Sequence, residues 1–130
     1  MNKPTPEELD LLHSELCSAL HDKTRVAILY ELAGGPQYVN GIVEALSLPQ
    51  AAISRHLKVL RDGGIVVATR EGNHVRCELQ DRRIVGVLDL LREILAASLQ
   101  RKSETGQRIR SAMAETRPGR RGIRGLGSKA

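Results

Sequence analysis

The segment Leu48-Pro-Gln-Ala-Ala-Ile-Ser-Arg-His-Leu-Lys-Val-Leu-Arg-Asp-Gly-Gly64 limits the fold more than any other part of the chain. At about 100° per residue, Ile53, Leu57 and Leu60 fall on one side of a helix, Arg55 and Lys58 on the other, and Gln50 and Ser54 along one flank between them. An outer face of amide, hydroxyl and cation suits the major groove of DNA, while the inner face needs a core. Pro49 fits a first helical position, with Leu48 at the cap, and Gly63-Gly64 stops the helix after Asp62.

Two short strands follow, Ile65–Arg70 and Val75–Leu79, joined by Glu71-Gly-Asn-His74 with turn residues Gly72 and Asn73. Val75, Cys77 and Leu79 alternate with His74, Arg76 and Glu78, so one face of the second strand turns inward. A reading helix followed by such a hairpin is the pattern of a winged helix-turn-helix.

The elements before it complete the pattern. Pro6-Glu-Glu opens a first helix over about residues 6 to 20, with Leu9, Leu12, Leu16 and Leu20 at helical spacing. Asp22 caps a second helix carrying Val26, Leu29 and Leu32, which stops at Gly34-Gly35-Pro36. Val39, Ile42, Val43 and Leu46 give the supporting helix, and Ser47-Leu48 the turn. From Asp81 a long helix carries Ile84, Val85, Val87, Leu88, Leu90, Leu91, Ile94, Leu95 and Leu99 over more than one face. A helix that apolar needs two partners, the chain's own core and a second copy of the chain, so a homodimer is expected. The pattern weakens after Leu99, although Ile109, Ala112 and Met113 allow a helix to continue or restart. The expected fold is mainly α with a small β-hairpin.

Length allows one domain, placed at residues 1–105, with a basic Gly/Arg-rich tail at 106–130 expected to be disordered. The chain has no Phe or Trp and two Tyr, so its core is aliphatic. Arg117, Arg120, Arg121, Arg124 and Lys129 carry the whole formal charge of +5, leaving 15 basic and 15 acidic residues in 1–116. Attraction to phosphate must then come from a local patch plus the tail. A neutral body argues against a sequence-indifferent architectural DNA binder. With no apolar run near 18 residues and no leader, the expected location is the cytoplasm, with no membrane partner. The two cysteines are too few for a disulfide framework and are expected to be reduced there.

The segments Cys17–Leu29, Leu48–Ile65 and Arg70–Arg76 together resemble the ArsR/SmtB family of bacterial winged-helix repressors over roughly residues 9 to 100. The resemblance implies a dimer whose paired helices read a palindromic operator in double-stranded DNA and whose first and last helices form the interface. It places Gln50, Ala51, Ser54, Arg55 and Lys58 on the DNA. The chemistry agrees: Gln50 suits an adenine edge, Arg55 guanine or phosphate, Ser54 either, and Ala51 a thymine methyl. Lys58 and Arg61 suit phosphates, and His56 either meets DNA or packs inward. In the wing, Arg70, Asn73, His74 and Arg76 suit the minor groove or its phosphates; a solvated hairpin tip is the alternative for each.

Two family sensor sites are absent. Relatives that sense metal through paired cysteines carry them in the supporting helix, where this chain has Tyr38-Val-Asn-Gly-Ile-Val43. Those that bind zinc between their last helices use Asp and His, and here Asp89 stands without a His. His13, Cys17 and His21, four apart, remain as metal-ligand candidates, against interface packing or solvent exposure. Cys17 and Cys77 are the candidate thiol sensor, although a cysteine beside Val75 and Leu79 also serves as a small hydrophobe. The chain calls for no cofactor, and the effector, whether small molecule, metal or redox, is left open.

The function expected is a DNA-binding transcriptional repressor released by an effector or by thiol modification. The alternative is a winged-helix interaction module without sequence-specific DNA binding. An enzyme is not expected: Ser54, His56 and Asp62 spread over different helix faces, and no Gly-rich phosphate loop is present.

Overall fold

The computed structural model describes residues 2–116, which fall into two compact units that part between Val87 and Leu88. In the first unit, α1 (Pro6–Leu11) starts from a reciprocal cap. Thr5 Oγ1 accepts from the Glu8 N–H at 3.1 Å, and Glu8 Oε2 accepts from the Thr5 N–H at 3.3 Å, so two otherwise orphaned donors are satisfied. The helix expected over residues 6–20 is continuous only to Cys17 and is not α throughout. The chain widens into a π-helical segment at Leu12–Cys17, closed by the Ser18 N–H on the His13 carbonyl at 2.8 Å, and then turns. The Ser18 hydroxyl donates to the Ser14 carbonyl at 2.8 Å, a local bond that competes with the regular ladder.

Asp22 caps α2 (Lys23–Ala33), its Oδ1 accepting from the N–H groups of Thr24 at 2.8 Å and Arg25 at 3.1 Å. These bonds hold its carboxyl below the usual range, the Arg25 amide contributing most. The core-facing residues of α2 are Ile28, Leu29 and Leu32, with Val26 only half-buried. Next come β1 (Gln37–Tyr38), α3 (Val39–Leu46) and α4 (Gln50–Asp62). Ser47 ends α3 in the left-handed region at φ 52°, a conformation that costs a side chain with a Cβ about 1 kcal/mol. Pro49 sits one residue earlier than expected: it is the N-cap, extended at ψ 144°, and its carbonyl accepts from the Ile53 N–H at 3.1 Å. Leu48 is therefore not the cap.

The hairpin pairs β2 (Val66–Glu71) with β3 (His74–Leu79), in register from Val66 opposite Leu79 to Glu71 opposite His74. Its two-residue turn has positive φ at Gly72 and not at Asn73, the pattern of a II′ turn. A third strand was not anticipated: β1 pairs with β3, Gln37 opposite Cys77 and Tyr38 opposite Arg76, making the antiparallel order β1-β3-β2. The core of this unit is aliphatic, with Ile28, Leu29, Leu32, Ile42, Ile53, Leu60 and Cys77 inaccessible or nearly so. Each large apolar side chain so buried contributes about 1.5–3 kcal/mol.

The helix α5 (Arg83–Thr116) begins in the first unit and makes up the described part of the second. Asp81 precedes it and accepts from the Arg83 N–H at 2.9 Å, and the Arg83 guanidinium closes on the same carboxylate at 2.7 Å. The helix passes residue 105 without a break, held on its polar stretch by pairs such as Gln100 with Glu104 and Gln107 with Arg110. The remainder of the expected tail, residues 117–130, lies outside the described residues. Among the described residues no helix is long and apolar enough to cross a membrane.

Candidate nucleic-acid interface

The inner stripe of α4 is fully used, since Ile53 and Leu60 are inaccessible and Leu57 is nearly so. Burial of that stripe fixes which face looks out. Gln50, Ala51, Ser54, Arg55, Lys58 and Arg61 are all exposed on it. Lys58 Nζ donates to Asp62 Oδ2 at 2.8 Å, one helical turn along, and this bond holds the Asp62 carboxyl below its ordinary range. Both side chains are well exposed, so the pair is weak and a phosphate competes readily for the ammonium.

The wing lies beside this face. A cleft of about 120 Å³ is lined by Gln50 and Ser54 from α4, Asn73, His74 and Val75 from the wing, and Tyr38, Val39 and Asn40 from the start of α3. Two of the expected DNA residues on α4 and two on the wing thus share one concave surface. Arg70, Asn73 and His74 are exposed, whereas Arg76 is half-buried and engaged by acids, 3.6 Å from Glu78 and 3.9 Å from Glu71.

Tyr38 was missing from the sequence-derived site. Its hydroxyl donates to Glu71 Oε1 at 2.8 Å, and its ring lies 5.5 Å from that of His74, so it braces the base of the wing tip against the entry to α3. The bond to Glu71 raises the Tyr38 hydroxyl pKa above its ordinary value. The available signal was an aromatic at the start of the supporting helix in a chain with only two aromatics.

His56 is not on the outer face. It lies half-buried on the far flank of α4, its Nδ1 3.3 Å from the Arg25 guanidinium and 3.9 Å from Asp22. The two cysteines are free and differ sharply: Cys17 is exposed at the end of the π-helical segment, and Cys77 is buried in β3. Burial pushes the Cys77 thiol above its usual range, which lowers its thiolate fraction. His13, Cys17 and His21 do not converge, and among the described residues no three His, Cys, Asp or Glu side chains are grouped to hold a metal ion. The π-helical segment widens the turn between His13 and Cys17, and the chain has left the helix before His21.

Helix α3, a tight turn, helix α4 and a two-stranded wing define a winged helix-turn-helix protein. Residues 22–67 match the family described as bacterial regulatory protein, arsR family. The chain is 34% identical over 85 residues to the HTH-type transcriptional repressor SmtB of Mycobacterium tuberculosis, a match that covers 65% of this chain and 63% of that one. It is 38% identical over 84 residues to the HTH-type transcriptional regulator CmtR of Mycobacterium bovis, covering 65% of this chain and 71% of the relative. The solution structure of the homodimeric winged helix-turn-helix DNA-binding domain Mb0332 from Mycobacterium bovis superposes with a TM-score of 0.64 at 25% identity, over 78% of this chain and 95% of that one. The chain belongs to the ArsR family of bacterial regulatory proteins.

Proposed function

We propose that this chain is a sequence-specific DNA-binding transcriptional repressor that acts in the cytoplasm as a homodimer on a palindromic operator and leaves it in response to an effector. The observation that carries this reading is the shared surface on which Gln50 and Ser54 of α4 meet Asn73 and His74 of the wing, with Arg55 exposed alongside. Amide, hydroxyl and guanidinium groups read base edges in the major groove while a wing tip reaches the adjacent minor groove or its phosphates. The arrangement is one of recognition, with no catalytic role for any of these groups.

Exposed apolar side chains support the homodimer. Leu90, Leu91, Ile94 and Leu95 are each more than half exposed on α5, and Leu9, Leu11 and Leu12 are exposed in the N-terminal segment. Stripes of this kind mark association surfaces. For a thiol-based effector the reactive group is Cys17, because Cys77 is inaccessible and its thiol is held protonated by burial.

The test is fluorescence anisotropy with DNA from upstream of the chain's own gene and a scrambled duplex of the same length. The wild type is expected to prefer the upstream duplex, and Arg55→Ala to weaken that binding by about 1–3 kcal/mol with no change in thermal stability. Binding that is indifferent both to sequence and to Arg55→Ala would overturn the proposal in favour of an interaction module.

A further inference from the structure

One guanidinium joins the turn before α2, α2 itself and the distant helix α4. Arg25, half-buried on the first turn of α2, donates from Nε to the Ala19 carbonyl at 2.6 Å and from Nη2 to the Ser18 carbonyl at 3.3 Å. Its Nη1 stands 3.3 Å from Nδ1 of His56 in α4. Arginine has donors and no acceptor, so Nδ1 accepts and the neutral imidazole carries its proton on Nε2. Asp22, already committed to capping α2, lies 3.9 Å from the same nitrogen.

His56 sits roughly 60° from the centre of the apolar stripe of α4, on the flank opposite Gln50 and Ser54. The contacts of Ile53, Leu57 and Leu60 are non-directional: they decide which face is buried and tolerate a small roll of the helix about its axis. A hydrogen bond from a charged donor is directional and does not tolerate that roll. A second contact lies about two turns further along. A Cβ on Gly63 would stand 2.5 Å from the Glu15 carbonyl oxygen, so the backbone of the N-terminal segment lies directly against the end of α4.

We propose that Arg25 is a positioning residue for DNA reading: through His56 it sets the roll of α4, and so the direction of Gln50, Ser54 and Arg55, and it ties that roll to the N-terminal segment. This rests on the DNA-reading function proposed above. Displacing residues 12–20, whether by dimer rearrangement or by a modification at Cys17, reaches α4 through the Arg25–His56 bond and the Glu15–Gly63 contact. The readout is orientation of the helix; its presence is secured by the core.

The test compares wild type, Arg25→Ala, His56→Leu, His56→Gln and the Arg25→Ala/His56→Leu double variant, using the upstream and scrambled duplexes, with circular dichroism on each protein. His56→Leu is expected to weaken binding to the upstream duplex roughly tenfold, with unchanged helix content and unchanged binding to the scrambled duplex. His56→Gln, whose side-chain oxygen can accept from Arg25, recovers most of that loss. Arg25→Ala matches His56→Leu, and the double variant is no weaker than either alone. Imidazole ¹⁵N spectra of the wild type at pH 8 show His56 protonated on Nε2 and bare on Nδ1. The proposal is overturned if His56→Leu keeps the wild-type preference, if Gln and Leu at 56 lose binding alike, or if the two single losses add. A wild type without preference for the upstream duplex refutes the DNA-reading function itself, an outcome separate from a wild type that prefers it while His56→Leu does too.

Discussion

Helices α4 and α5 draw on the same aliphatic residues and use them in opposite ways. On α4, Ile53 and Leu60 are inaccessible and the polar side looks out. On α5, Leu90, Leu91, Ile94, Leu95 and Leu99 are each more than half exposed. The first helix has its apolar stripe satisfied within the chain and turns its polar side to solvent. The second presents its apolar stripe, which only another apolar surface can satisfy. Under the proposed function, the first is the part that reads DNA and the second the part that assembles.

The largest effect expected from this contrast follows from charging the α5 stripe. Leu91→Glu combined with Leu95→Glu should raise the dimer dissociation constant by at least about 100-fold, since two carboxylates would have to be desolvated at the interface. Sedimentation velocity reads this as a monomer, with the core of residues 1–87 still folded by circular dichroism. A dimer that persists would place the assembly surface elsewhere and break the contrast.

A smaller effect is expected where the N-terminal segment touches α4. Gly63→Ala puts a Cβ 2.5 Å from the Glu15 carbonyl oxygen, a backbone atom that must move. We expect a loss of about 1–3 kcal/mol in urea unfolding. An unchanged midpoint would mean that the segment is not held there and would remove one of the two links between it and α4.

The smallest effect concerns the start of α5. The Arg83 guanidinium, helped by its backbone N–H, lowers the Asp81 carboxyl to about 2, against 3.8 for the free group. A folded-state value below the unfolded one stabilises the fold above pH 3.8, and that contribution disappears as the pH falls toward 2. Asp81→Asn keeps a capping oxygen and loses this acid sensitivity, so its acid-unfolding curve should be shallower between pH 4 and 2 than that of the wild type. Superimposable curves would show that the Asp81–Arg83 pair contributes nothing to the start of the helix.

Helix α4 and the wing were legible in the sequence because both carry strong local signals: an apolar stripe at 53, 57 and 60, a Gly72-Asn73 turn and alternation along 74–79. What escaped has weak local signals. Two residues cannot show a period, so β1 emerges only from its pairing with β3. A π-helical turn shifts a helix by a fraction of a residue, and the leucine spacing of residues 9–20 looks the same with or without it. Pro49 was misplaced by one position because proline serves at either side of a helix start, and only its backbone angles decide. For the candidate site, Gln50, Ser54 and Arg55 were readable from helical phase. The bracing of the wing by Tyr38 and the inward turn of His56 depend on partners 33 and 31 residues away, which no local pattern records.

If two copies of this chain read one palindromic site, native mass spectrometry of the protein mixed with the upstream duplex detects both of them on it. The expected species is a complex of two chains on one duplex at protein concentrations where the scrambled duplex stays free. One chain per duplex, or equal occupancy of both duplexes, would contradict it.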